Sequence, residues 1–77
     1  MKHFNICIRS FADIRDFVAI AIAQPFDVFV GNDIQEVNAK SFIGMLCLDY
    51  SQPLSVKSDC TESDFQSFRR QAVRFLA

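Results

Sequence analysis

The sequence is poor in the residues that long loops and metal centres require. Two glycines and two prolines among 77 residues leave little allowance for extended irregular segments. It has one histidine, His3, and no Cys-x-x-Cys pair among Cys7, Cys47 and Cys60. Three cysteines cannot all pair within one chain, and a zinc site would need four ligands scattered over its whole length. Free thiols, buried or half-buried, are expected, with no metal and no cofactor. A thiol-dependent or metal-binding protein using these cysteines is the weaker alternative. Long hydrophobic runs are also missing, since nothing approaches the roughly 18 residues of a membrane span. The longest, Phe17 to Ala23, follows a charged turn and reads as buried helix. Met1-Lys2-His3-Phe4-Asn5 leads straight into an alternating strand rather than a secretory leader, which points to a cytoplasmic protein. Charge of one sign is lacking as well. Eight Lys and Arg against nine Asp and Glu give a net charge of -1, without the basic face that nucleic-acid phosphates demand. What remains is 51% hydrophobic and 22% charged, enough apolar material for one small core, so residues 1–77 are expected to form a single domain.

Phe4, Ile6 and Ile8 alternate with polar neighbours, the period of a strand with one buried face. Ser10 stops that strand, and Ser10-x-x-Asp13 has the spacing of a capping box. Ile14, Phe17, Val18 and Ala21 then recur at helical spacing until Gln24-Pro25, where proline disfavours further helix. Phe26, Val28 and Val30 predict a second strand, and Gly31-Asn32-Asp33 a tight hairpin. Ile34, Glu36, Val37 and Asn38 form the expected return strand. Ser41 caps a short helix carrying Phe42, Ile43, Met45, Leu46 and Leu48, and Asp49 to Pro53 is a loop. Leu54 to Lys57 alternates as a last strand. Thr61-Glu62-Ser63-Asp64 opens a final helix with the stripe Phe65, Phe68, Ala72, Phe75 and Leu76. The order β-α-β-β-α-β-α, with alternating strands, predicts an α+β protein. Its expected form is a four-stranded antiparallel sheet with three helices on one face and water on the other.

At Asn38-Ala39-Lys40-Ser41-Phe42-Ile43-Gly44-Met45 the chain resembles the Lys-Ser-Ile-Met-Gly segment of HPr, the histidine-containing phosphocarrier of the bacterial sugar phosphotransferase system. The spacing from Phe17-Val18 to Asp27-Val28-Phe29-Val30, and the elements after Leu48, extend the likeness over essentially the whole chain. The resemblance implies the HPr open-faced β-sandwich. It also implies an active site, Gly-hydrophobic-His-x-Arg-Pro, at the start of the first helix. Here the sequence departs from the family: counted back from Phe17-Val18, Ser10 stands at the histidine position, Ala12 at the arginine and Asp13 at the proline. With a strand reaching Ile8, only Arg9 would remain as the loop before Ser10.

A phosphohistidine needs a histidine at that cap. His3 is the only one, about seven residues and ~20 Å of extended strand away, on the strand's polar side. Ser10 reads as a structural N-cap, because a serine ester lacks the labile N–P bond and Asp13 would repel an incoming phosphate. Ser41 matches the serine that Gram-positive HPr proteins present to a regulatory kinase; a cap alone is the other reading. The residues matching Phe11, Arg15, Phe42, Ile43 and Leu46 dock onto enzyme partners in HPr. Independently of that resemblance, the short second helix carries more large apolar residues than one side can bury, which marks a binding surface. The expectation is a binding or regulatory module that lacks carrier chemistry. Its partner would be a phosphotransferase-system enzyme, a kinase or a transcription regulator. A phosphocarrier with an unusual acceptor is the competing reading.

Overall fold

The computed structural model describes residues 1–77. Four strands form one antiparallel sheet in the order β1-β4-β2-β3. They are β1 (Lys2–Ile6), β2 (Val28–Gly31), β3 (Glu36–Asn38) and β4 (Leu54–Ser58). The helices are α1 (Phe11–Ile22), α2 (Phe42–Leu46) and α3 (Glu62–Gln71), followed by a single 3₁₀ turn at Val73–Phe75. The expected order β-α-β-β-α-β-α is the observed one.

Strand register explains why one face is apolar. Phe4, Val56, Val30 and Val37 stand directly opposite one another across the four strands, and so do His3, Lys57, Phe29 and Asn38. Opposed residues share a face, so the first row points into the core and the second to solvent. The core row meets Phe17 of α1, Met45 of α2 and Phe68 of α3, all with no exposed surface. Phe68 contacts Phe4, Phe17 and Phe26 edge-on or tilted, with ring centroids 5.4, 6.2 and 5.8 Å apart. The other face of the sheet is uncovered. The chain is an open-faced β-sandwich.

Several boundaries differ from the sequence reading, each for a nameable reason. β1 ends at Ile6, not Ile8, because Ile6 opposes Leu54 and the preceding Pro53 has no amide to continue the ladder. Ile8 is buried all the same. The segment before Ser10 is therefore Cys7–Arg9 rather than Arg9 alone. Ile34 does not belong to β3: the Asn32 side-chain oxygen accepts the amides of Ile34 and Gln35 at 2.8 and 2.9 Å, which folds Ile34 into a four-residue turn, 94% exposed. Gly31 faces this turn so closely that an added Cβ would meet the Gln35 carbonyl and lie 2.6 Å from Glu36 Cα. Phe26 precedes β2 and packs half-buried against the core. Leu48 lies beyond α2, whose end tightens through Cys47 N–H to Gly44 O at 3.1 Å, yet it stays buried.

α3 stops at Gln71 rather than running to Leu76. The Ala72 amide is shared between Phe68 O and Arg69 O, and the chain passes into the 3₁₀ turn. That change of path brings the C-terminal residues alongside β1. Cys7 N–H donates to Phe75 O at 2.8 Å, Ala77 N–H to Asn5 O at 3.0 Å, and Leu76 bridges Ile6. Phe75 reaches the core between them, edge-on to Phe17 at 5.6 Å.

Phe75→Ala should thus destabilise the protein by about 3–5 kcal/mol, whereas Ile34→Ser should change stability by less than about 0.5 kcal/mol. Urea unfolding measures both; equal losses would contradict the placement of either residue.

Candidate functional site

α1 begins where its sequence says it should. Ser10 is extended (φ -153°, ψ 164°), and its Oγ accepts the Asp13 amide at 3.1 Å. The Asp13 carboxylate turns back and accepts the Arg9 amide through Oδ2 at 3.1 Å. This is a capping box displaced by one residue, since the amide satisfied is that of Arg9 rather than of the cap itself. Ser10, Arg9, Ile8, Ile14 and Tyr50 line an open cleft of about 420 Å³. Tyr50 closes one wall, its hydroxyl donating to Met45 O at 2.6 Å and tying the loop after α2 to that helix. Burial pushes the Tyr50 phenol up to about 12.

Asp13 has a second partner that local patterns do not reveal. Arg74 donates from Nη1 to Asp13 Oδ1 at 3.3 Å and from Nη2 to Asp16 Oδ2 at 2.7 Å, spanning from the 3₁₀ turn to the start of α1. Its guanidinium also lies 4.2 Å from the centroid of the Phe75 ring. In the sequence Arg74 shows only as one of three arginines in the last turns of a helix. Its partners lie 58 and 61 positions away.

The second group of side chains sits on the adjoining α1–α2 surface. Phe11 is 62% exposed and meets Phe42 edge-on, centroids 5.4 Å apart at 84°. Ile43 and Leu46 are 76% and 45% exposed. Phe42 is half-buried against the core, while Met45 and Leu48 are the residues of this segment that go inside. Arg15, one turn on from Phe11, is exposed, and its Nε donates to Asp16 Oδ1 at 3.2 Å. Phe11 of α1 thus meets Phe42 of α2, with Ile43 and Leu46 exposed on the same short helix as Phe42 and Arg15 one turn on from Phe11. Ser41 caps α2 directly before Phe42, its Oγ accepting the Gly44 amide at 3.1 Å.

His3 does not join either group. It lies exposed on the uncovered face of the sheet, opposite Lys57. Ala12 is exposed on the first turn of α1. Cys7 and Cys60 are half-buried and Cys47 exposed, all three as free thiols, and no three His, Cys, Asp or Glu side chains gather where they could hold a metal ion.

With this geometry the chain resembles HPr-type proteins of known structure. No family model matches it, and no curated protein does. Among solved structures, that of HPr-C-His from Thermoanaerobacter tengcongensis superimposes with a TM-score of 0.73 at 24% identity, covering 91% of this chain and 89% of that one. The likeness establishes the fold: this is an HPr-like open-faced β-sandwich.

Ser10→Ala should cost about 1 kcal/mol, because one first-turn amide loses its partner; an unchanged unfolding midpoint would remove the cap. Tyr50 is the only tyrosine, so phenolate absorbance reports it alone. Its titration should centre near 12 rather than 10. The folded state holds this proton more tightly than the unfolded chain, so the contribution to stability is complete below pH 10 and is lost as pH rises through about 12. A midpoint at 10 in the folded protein would show the phenol to be solvated.

Proposed function

We propose that this HPr-like domain, spanning residues 1–77, is a cytoplasmic protein-binding or regulatory module that does not carry a phosphoryl group. The observation that carries the reading is the apolar patch of Phe11, Phe42, Ile43 and Leu46. Large apolar side chains clustered at an exposed helix pair are the composition of a binding surface rather than of a solvated one. Arg15 at the edge has its Nε held by Asp16 and keeps its terminal guanidinium N–H groups for a hydrogen bond to the partner. The partner class is a protein of the phosphotransferase system: an enzyme, a kinase or a transcription regulator.

What stands at the start of α1 supports the reading without carrier chemistry. Ser10 is engaged as a cap, and the only histidine is on the open sheet face. Neither group is built for reversible phosphoryl transfer, and the domain is not an enzyme. Ser41 is the regulatory position in this reading. Its hydroxyl caps the helix directly before Phe42, and a phosphate there would set a dianion beside Phe42 and Ile43 and change what can dock.

Leu46→Glu or Ile43→Glu should weaken partner binding by more than about 1 kcal/mol while stability moves by less than about 0.5 kcal/mol. Phe42 is a poorer probe because part of its ring is core. A loss of several kcal/mol in stability would mean that these residues pack inside and the patch is not a docking surface. Incubation with phosphoenolpyruvate and the general phosphotransferase enzyme should leave the protein's mass unchanged. A gain of one phosphate on His3 or Ser10 would instead establish a carrier with an unusual acceptor.

A further inference from the structure

We propose that the cleft between the segment before α1 and the loop after α2 binds a small carboxylate with an apolar body, the charge on Arg9 and the body on Ile8, Ile14 and Tyr50. This goes beyond the docking reading and does not depend on it, since none of Phe11, Phe42, Ile43 and Leu46 lines the cleft.

At about 420 Å³ the cleft falls within the range of small-molecule sites. Its lining divides by chemistry. Ile8 and Ile14 belong to the core and give it aliphatic surface. Tyr50 is pinned by its hydroxyl, which donates to Met45 O at 2.6 Å, so the phenol is spent and the ring is held in place. These three side chains are fixed by their other contacts, and an apolar ligand would order little that is not ordered already.

The polar side has two groups with capacity to spare. Arg9 is exposed, is the one charged residue of the lining, and takes part in none of the protein's ion pairs. Ser10 Oγ accepts the Asp13 amide, which leaves its O–H to donate. The neighbouring carboxylates do not answer the Arg9 guanidinium. Asp13 accepts the Arg9 backbone amide and Arg74, and Asp49 accepts the Ser51 amide within its own turn. A ligand's carboxylate offers two oxygens and one negative charge, which one guanidinium and one hydroxyl can meet. Hydrocarbon attached to it would cover the isoleucines and the Tyr50 ring. Neither half suffices alone: a bare anion leaves the apolar lining wet, and a bare hydrocarbon leaves Arg9 without a counter-charge.

Tyr50 is the only tyrosine and the chain has no tryptophan, so tyrosine emission reports this cleft alone. The probe is isocaproate, transparent where tyrosine absorbs, with the methyl shifts of Ile8 and Ile14 as a second readout. It should change both signals saturably in the millimolar range. Acetate and inorganic phosphate, which lack the apolar body, should bind at least roughly tenfold more weakly. The neutral isocaproamide should bind at least roughly fivefold more weakly. Arg9→Gln alters an exposed side chain without partners, and it should bind the carboxylate no better than the amide. The comparison of carboxylate with amide needs no variant, so it stands even if Arg9→Gln is unstable. The proposal is overturned if isocaproate produces no saturable change, or if phosphate or the amide binds as well as isocaproate does. A folded Arg9→Gln that keeps the preference for the charged form overturns it too. So does binding that moves the Ile43 methyls while those of Ile8 and Ile14 stay still.

Discussion

A sheet covered on one face has only one side on which to bury what its sequence makes apolar, and most of this structure follows from that constraint. The row Phe4, Val56, Val30 and Val37 accepts helices; the opposite row, His3, Lys57, Phe29 and Asn38, does not. α1 and α3 are long enough to turn an apolar stripe inward and a polar one outward. α2, with five residues, is not. It commits Met45 to the core, leaves Ile43 and Leu46 outside, and lets Phe42 bridge the two by stacking edge-on with Phe11. The exposed patch is thus a consequence of the architecture, and the same architecture gives it a rigid base. Preorganised apolar groups on packed helices lose little entropy when a partner covers them.

The start of α1 obeys a different rule. Asp13 accepts the Arg9 backbone amide and Arg74, and Asp16 accepts Arg74 and Arg15. Exposed ion pairs of this kind contribute roughly 0–1 kcal/mol each to stability. Exposed apolar side chains and these ion pairs sit side by side on α1, and the proposed function separates binding from phosphoryl transfer.

Features set by neighbours within a turn or two were legible in the sequence. The caps at Ser10, Ser41 and Thr61 all occur, each accepting an amide three residues on, because capping depends on a residue and its next few amides. The alternation in β1, β2 and β4 was legible for the same reason, and so was the surplus of apolar residues on α2. What escaped was set by distant chain. β1 stops at Ile6 because Pro53 lies on its partner. Phe75 and Leu76 leave the helical stripe because β1 offers them an edge. Ile34 looks like strand by composition, but one Asn32 side chain captures its amide. Arg74 carried no local sign of its pairing with Asp13 and Asp16, since only the fold brings positions 61 and 58 apart together.

The central claim is that this HPr-like domain meets its partner through the α1–α2 surface. The most direct measurement is amide-shift mapping of the isotope-labelled protein titrated with proteins of the phosphotransferase system, beginning with the general enzyme. The account predicts perturbations centred on Phe11, Arg15, Ile43 and Leu46, with His3 and its sheet neighbours unmoved. A footprint on the open sheet face around His3, or no binding by any of those proteins, would contradict it.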